Sequence, residues 1–299
     1  MKATVMMPLC LGMALLAAPA EAVPAIYPVD TARFLATSKF DFKVEFDREL
    51  SQTDIDVRIN GKSVADVFGA SPEFIKNEEG KGSAVILRNV SLKPGKYAVT
   101  VKDGKEESSA NWDVYGTPSE ASAKNVILLI ADGLSMGHRT GARLLSKGVT
   151  NGMYNGYLSM DTLPYTGMLG TCSVDSIAAD SANTASAYMT GHKSSVNAIG
   201  VYADRTKDPF DDPRQETIAE LLRRKTNKSI GIVSDAEIED ATPAAVVSHT
   251  RLRSEKAAIV GMFADIRPEV LIGGGSAYFL PRTVPGSKRK DEKDYVEDF

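Results

Sequence analysis

Cysteine is almost missing from this chain of 299 residues, which holds only Cys10 and Cys172. Cys10 falls in an N-terminal segment that reads as cleaved, so Cys172 would stand alone in the mature protein. That excludes an internal disulfide and a cysteine-based zinc site. No histidine lies near Cys172 in sequence, so it is expected to be a small packed residue rather than a nucleophile. Histidine is scarce as well. His138, His192 and His249 are the whole set, and none belongs to a His/Cys/Asp cluster of ligand spacing, so each reads as a loop or helix residue rather than a zinc ligand. Basic residues are not in excess: the formal charge is -4, which argues against a nucleic-acid surface. Beyond the N-terminus no apolar run is long enough to span a membrane. There is no internal repeat. The run Gly273-Gly274-Gly275 lacks the Lys-Ser/Thr of a P-loop and any G-x-G-x-x-G spacing, and reads as a tight turn.

What is present begins with a secretory signal. Lys2 forms a minimal basic region, Val5 to Ala18 is apolar, and Ala20-Glu21-Ala22 fits a small-x-small cleavage site. Residues 1–22 are expected to be removed and the remainder exported, to the periplasm or outside the cell. Residues 23–116 read as all-β. The run from Lys39 to Phe46 alternates polar and apolar, as a half-buried strand does. Residues 55–59 repeat the pattern before Asn60-Gly61, a strong hairpin signal. Residues 84–87, 97–101 and 112–115 add strands, with turns at Pro94-Gly95 and Asp103-Gly104. Short strands at this spacing fit a small immunoglobulin-like sandwich, an accessory domain by default.

After a linker at 117–123 the rhythm changes. Asn125 to Ile130 is an unbroken apolar run, suited to a strand buried on both faces of a parallel sheet. Residues 229–234 and 269–272 are two more strands. Helices are expected over about 134–145, from Ser181 to Met189, over 216–224 and over 254–264. Strands alternating with helices argue for a doubly wound α/β domain over residues 124–299. Three strands are few for such a core, so the chain is expected to be the front part of a longer protein.

The run Asp180-Ser181-Ala182-Asn183-Thr184-Ala185 carries the chemistry. A hydroxyl in the first turn of a helix faces unpaired amide N–H groups and the positive end of the macrodipole, an arrangement suited to phosphate. Read alone, Asp180-Ser181 is more commonly a helix cap. Asp132 ends the first strand, where ligands bind in open α/β sheets; a cap for the following helix is the competing role. Asp240, Thr242 and Arg253 fall near the same edge. Carboxylate and hydroxyl oxygens are ligands that Mg²⁺ prefers, and an arginine fork can hold two phosphoryl oxygens.

From about Lys124 to Arg282 the chain resembles the alkaline phosphatases. The motifs are residues 124–133, Asp180-Ser181-Ala182, Val233 to Pro243, His249 to Arg253, and Ile272-Gly273-Gly274-Gly275. The resemblance implies that Ser181 is the phosphorylated nucleophile, that Arg253 clamps phosphate, and that Asp132, Asp240, Thr242 and Ser181 face metal. It implies Mg²⁺ and Zn²⁺ as cofactors and small phosphate monoesters as substrates, and leaves the assembly open, a homodimer included. Asn183, Ala131 and Leu134 depart from the family pattern without removing a ligand. By the resemblance Asp132 would bridge the magnesium and one of two zinc ions, while the Asp and His residues of the family's C-terminal half, which mainly hold the zinc, have no counterpart here. Two other readings stay open: a non-catalytic fragment lacking zinc ligands, and a related metal-dependent phosphodiesterase or sulfatase-type hydrolase. A surface-binding role for the N-terminal sandwich is a third.

Overall fold

The computed structural model describes residues 24–120 and 122–299; the expected signal peptide lies outside the described residues. The N-terminal part holds β1 (Ala25–Tyr27), β2 (Arg33–Leu35), β3 (Phe40–Glu45), β4 (Asp56–Ile59), β5 (Lys62–Ser63), α1 (Val64–Phe68), β6 (Glu73–Ile75), β7 (Ala84–Val90), β8 (Gly95–Lys102) and β9 (Glu107–Tyr115). The strands form two sheets, of order β1-β3-β7-β6 and β2-β9-β8-β4-β5. Phe34, Phe40, Phe42, Val44, Val99, Val101 and Trp112 from both sheets meet in one core. The expected hairpin joins β4 to β5 through Asn60 and Gly61, both at positive φ (49° and 76°). The turn at Asp103 is held by its side chain, whose Oδ1 accepts from the N–H groups of Lys105 and Glu106 at 3.0 and 2.8 Å. Strands β1, β2 and β6 and helix α1 were not expected; their three to five residues are too short to show a period.

Strand β3 corrects the half-buried expectation, because all six of its residues are buried. Its polar face is covered by the loop at residues 204–214. Lys43, 1% exposed, places Nζ 2.6 Å from Asp204, 2.8 Å from Glu78 and 3.1 Å from Glu45. Burial penalises that ammonium, yet the three carboxylates outweigh it and hold its pKa above the ordinary lysine value. A buried charge is tolerated only with such partners.

The second part holds α2 (Met136–Lys147), β10 (Val149–Thr150), β11 (Met153–Tyr154), α3 (Ser181–Thr190), α4 (Ile218–Lys225), β12 (Gly231–Glu237), α5 (Ala241–Ala244), α6 (Lys256–Ile266), β13 (Val270–Gly274) and α7 (Tyr295–Asp298). β12 and β13 pair in parallel, with Gly231 opposite Val270. Parallel pairing needs a crossover, and α6 lies within it. Ala182, Ala185, Ile199, Ile232, Ala244, Ala245, Ile259 and Phe263 form a second core.

The strand expected at 125–130 does not form. Val126, Ile127 and Leu129 are 84, 86 and 89% exposed, and the segment joins no ladder among the described residues. Its ends touch the segments that flank β12. The Lys124 carbonyl accepts from Lys228 Nζ at 2.6 Å, and Asp132 accepts from Thr242 at 2.8 Å. The two ends of the run are thus tied to residues on either side of β12, and it exchanges no ladder hydrogen bonds with that strand. Cys172 is a second correction: it is exposed, and its thiol pKa is drawn down by the Lys193 ammonium 2.7 Å away.

Candidate active site

Two short helices bring the site together. α3 starts at Ser181 because Asp180 caps it, accepting from the Asn183 N–H at 3.1 Å. The cap is thus the aspartate, and the serine in the first turn is left for another role. Ala182 and Ala185 pack in one core with Ala241 and Ala244 of α5 and with Ala245, which caps its end. Side chains this small let the two helices approach closely, which carries Asp240 toward Ser181. Asp240 in turn caps α5 through the Ala241 N–H at 2.8 Å.

Arg253 ties the two helix starts together. Its Nη1 donates to Ser181 Oγ at 2.8 Å and its Nη2 to Asp240 Oδ1 at 2.8 Å. Asp180 Oδ2 lies 3.5 Å from Nη1 and also accepts from the Asn197 N–H at 3.1 Å. Burial pushes the Asp240 carboxyl up, but the Arg253 guanidinium and the Ala241 N–H outweigh it and hold it below the ordinary carboxylate range. Two residues on from Asp240, Thr242 Oγ1 donates to Asp132 Oδ2. Asp132 is not a cap: Ser135 caps α2, in a capping box closed by His138. All five residues singled out from the sequence thus fall into two linked groups, Ser181–Arg253–Asp240 and Thr242–Asp132, joined through the single turn of α5.

Three residues near the site were not foreseen. Glu239 is fully buried, and neither of its oxygens has a hydrogen-bond partner among the described residues. Burial holds its carboxyl above the ordinary range. It lies against Gly275, where a β-carbon would overlap the carboxylate. Lys256 pairs with Glu237, two residues farther back in the same run. The acid-rich spacing Glu237-x-Glu239-Asp240 was the available signal; nothing local marked which of the three faces inward.

Asp132 Oδ2, Thr242 Oγ1 and the Asp240 carboxylate offer only oxygen, the donor type that suits Mg²⁺. Zinc does not fit the histidines present. His138 is in the α2 cap. His192 is stacked on Phe34 with ring centroids 4.6 Å apart and hydrogen-bonded to Tyr202, and burial pushes its pKa down to about 3. His249 bonds the Gly200 carbonyl and Glu220, each at 2.9 Å. Elsewhere, Asp204, Asp211 and Asp212 bring carboxylate oxygens within 4.8 Å of one another, but Arg251 already lies among them, 3.1 Å from Asp204 and 2.9 Å from Asp212. A cleft of about 670 Å³ lies away from Ser181, between β3 and residues 210–216.

The sequence model of the alkaline phosphatase family matches residues 123–299. The chain is 34% identical over 193 residues to alkaline phosphatase H of Pseudomonas aeruginosa (strain UCBPP-PA14), covering 56% of this chain and 38% of that protein. It is 30% identical over 179 residues to the tissue-nonspecific alkaline phosphatase of Gallus gallus, covering 54% of this chain and 34% of that one. The solved alkaline phosphatase of the Antarctic bacterium TAB5 overlays with a TM-score of 0.42 at 25% identity, over 54% of this chain and 41% of that one. The chain spans between a third and a half of the length of the curated relatives it matches.

Proposed function

This chain belongs to the alkaline phosphatase family, and we propose that Ser181 is the nucleophile of a phosphate-monoester hydrolase. The observation that carries the reading is the Arg253 guanidinium, which spans Ser181 Oγ and Asp240 at the start of α3. A phosphoryl group set there would meet the first-turn N–H groups of α3 and the planar fork of Arg253 together. Ser181 Oγ would attack phosphorus as its proton leaves, and the ester oxygen would depart as the alcohol. Water would then cleave the phosphoserine, restoring the hydroxyl and releasing phosphate. Arg253 would turn from Ser181 and Asp240 to two phosphoryl oxygens, holding the group in line.

Asp132, Asp240 and Thr242 are the residues we assign to Mg²⁺, which when bound would supply positive charge beside the nucleophile. The three histidines are engaged elsewhere, so the zinc implied by family membership would need ligands other than these, and no step here is routed through it. We read residues 23–116 as an immunoglobulin-like accessory domain, 117–123 as a linker and 124–299 as a doubly wound α/β domain of an exported protein. Among the described residues no helix is long and apolar enough to cross a membrane.

The test is incubation with p-nitrophenyl phosphate, Mg²⁺ and Zn²⁺, followed by acid quench and peptide mass spectrometry. Phosphate on Ser181, lost in Ser181→Ala, is the expected result. Covalent phosphate on another residue, or nitrophenol release that survives Ser181→Ala, overturns the assignment. The engaged histidines favour a second reading, a phosphate-binding chain without turnover; it predicts phosphate binding that depends on Arg253 and no nitrophenol release.

A further inference from the structure

We propose that the N-terminal sheet containing β3 is a positioning element for Arg253, acting through a lateral ladder of single β-bridges. This rests on the reading of Ser181 and Arg253 as the phosphate site.

The ladder starts where β1 stops. β1 pairs with β3 only over Lys43–Glu45. Over Lys39–Asp41, residues 214–216 pair with the strand instead. The Asp41 N–H donates to the Arg214 carbonyl and the Glu216 N–H to the Lys39 carbonyl, both at 2.8 Å, around the bridge Phe40–Gln215. Arg214 bridges Val201, and the Gln215 N–H donates to the Gly200 carbonyl at 2.9 Å. Ile199 then exchanges both backbone hydrogen bonds with Thr250, at 2.8 and 2.9 Å. The last rung reaches the site: the Arg253 N–H donates to the Asn197 carbonyl at 2.9 Å, and the Asn197 N–H donates to Asp180. Each end of the Ser181–Arg253 contact is thus fixed by the backbone of Asn197.

A side-chain path runs beside the backbone one. Lys43 on β3 holds Asp204, Asp204 holds Arg251, and Arg251 lies two residues before Arg253. Arg205 crosses the same junction, bonding Glu78 and the carbonyls of Phe46, Lys81 and Ser83. A side chain whose supports are fixed loses less on binding an anion than one that must first be ordered. Lys43 and Asp204 are positioning residues in this account and touch no phosphate.

The experiment uses the full chain, with inorganic phosphate as probe in calorimetry and amide hydrogen exchange as a second measurement. Lys43→Met and Asp204→Asn should weaken phosphate binding roughly tenfold and speed exchange at Ile199, Thr250 and Arg253. Lys43→Arg should restore both. Ile59→Val, in the same N-terminal core but on the sheet that does not contain β3, controls for general loss of stability and should leave phosphate affinity unchanged. Wild-type phosphate affinity and exchange in folded Lys43→Met and Asp204→Asn would overturn the proposal. Equal weakening in Ile59→Val would overturn it too. Arg253→Ala separates the two readings. If it leaves phosphate binding intact, or if the wild-type chain binds none, the phosphate site itself is wrong. If it abolishes binding while the ladder variants do not weaken it, only the positioning role falls. Should Lys43→Met fail to fold, Asp204→Asn, close to isosteric, carries the same two measurements.

Discussion

The Thr242 hydroxyl donates to Asp132 Oδ2 at 2.8 Å, joining residues 110 positions apart. In the function proposed above, two hard oxygen donors held this close would form one edge of a Mg²⁺ shell. Thr242→Val removes the oxygen and nearly keeps the shape, so it should weaken Mg²⁺ binding roughly tenfold in calorimetry, while Thr242→Ser stays near wild type. Equal Mg²⁺ affinity in all three proteins would remove Thr242 from the shell.

Arg253→Lys keeps the charge and loses the planar fork that reaches Ser181 and Asp240 simultaneously. A point charge cannot match two oxygens at once. Inorganic phosphate should bind roughly tenfold more weakly to the lysine variant, about 1.4 kcal/mol. An unchanged affinity would mean that charge alone suffices.

Asp212 gives a pH signature. Burial, with Asp204 beside it, pushes its carboxyl up to about 7 despite the pull of Arg251. Below the ordinary carboxylate range both folded and unfolded chains hold the proton, and the site costs nothing. As pH rises from there to about 7, the unfolded chain releases a proton that the folded chain keeps, so this group lowers stability by up to about 1.4 kcal/mol per unit. Urea midpoints measured across that window should fall less steeply for Asp212→Asn. Parallel slopes would show that the folded carboxylate titrates normally.

Gly200 sits in the ladder at φ 62°, and a β-carbon there would overlap the Ser248 carbonyl and the His249 ring. Strain and overlap add, so Gly200→Ala should cost at least about 2 kcal/mol. Chemical denaturation followed by Trp112 fluorescence reads this directly, since Trp112 is buried and is the one tryptophan in the chain. A midpoint within error of wild type would show that the backbone relaxes there.

Local chemistry made part of this site readable in advance. Asp180-Ser181 announces a helix start, because a capping carboxylate followed by small residues has few other uses; the short helix after Asp240 was not expected. Arg253 was singled out by its place near the same edge, but its role as the phosphate clamp came only through the family resemblance, since a lone arginine in a loop carries no pattern. The ladder was invisible. Gly200, Gln215 and Thr250 pair across tens of residues without any periodic run, and single bridges leave no period to detect. The strand expected at 125–130 failed for a related reason. An apolar run records that a segment can be buried between neighbours, but the neighbours themselves are supplied by tertiary pairing. Glu239 shows the converse, a buried carboxylate in a stretch whose composition reads as exposed.

Lys43 and Asp204 are 161 residues apart, which bears on the order in which the protein is made. When residues 25–115 have left the ribosome, the segments that will cover β3 do not yet exist. If residues 25–115 fold before residue 216 follows, Asp41, Lys43 and Glu45 would form a water-facing polar stripe over that apolar core. The alternation along β3 is therefore suited to that interval: it keeps the unfinished sheet hydrated and unattractive to other chains. Once Asp204 arrives, the same three charges become internal. A strand that ends buried on both faces is written for the state it occupies first.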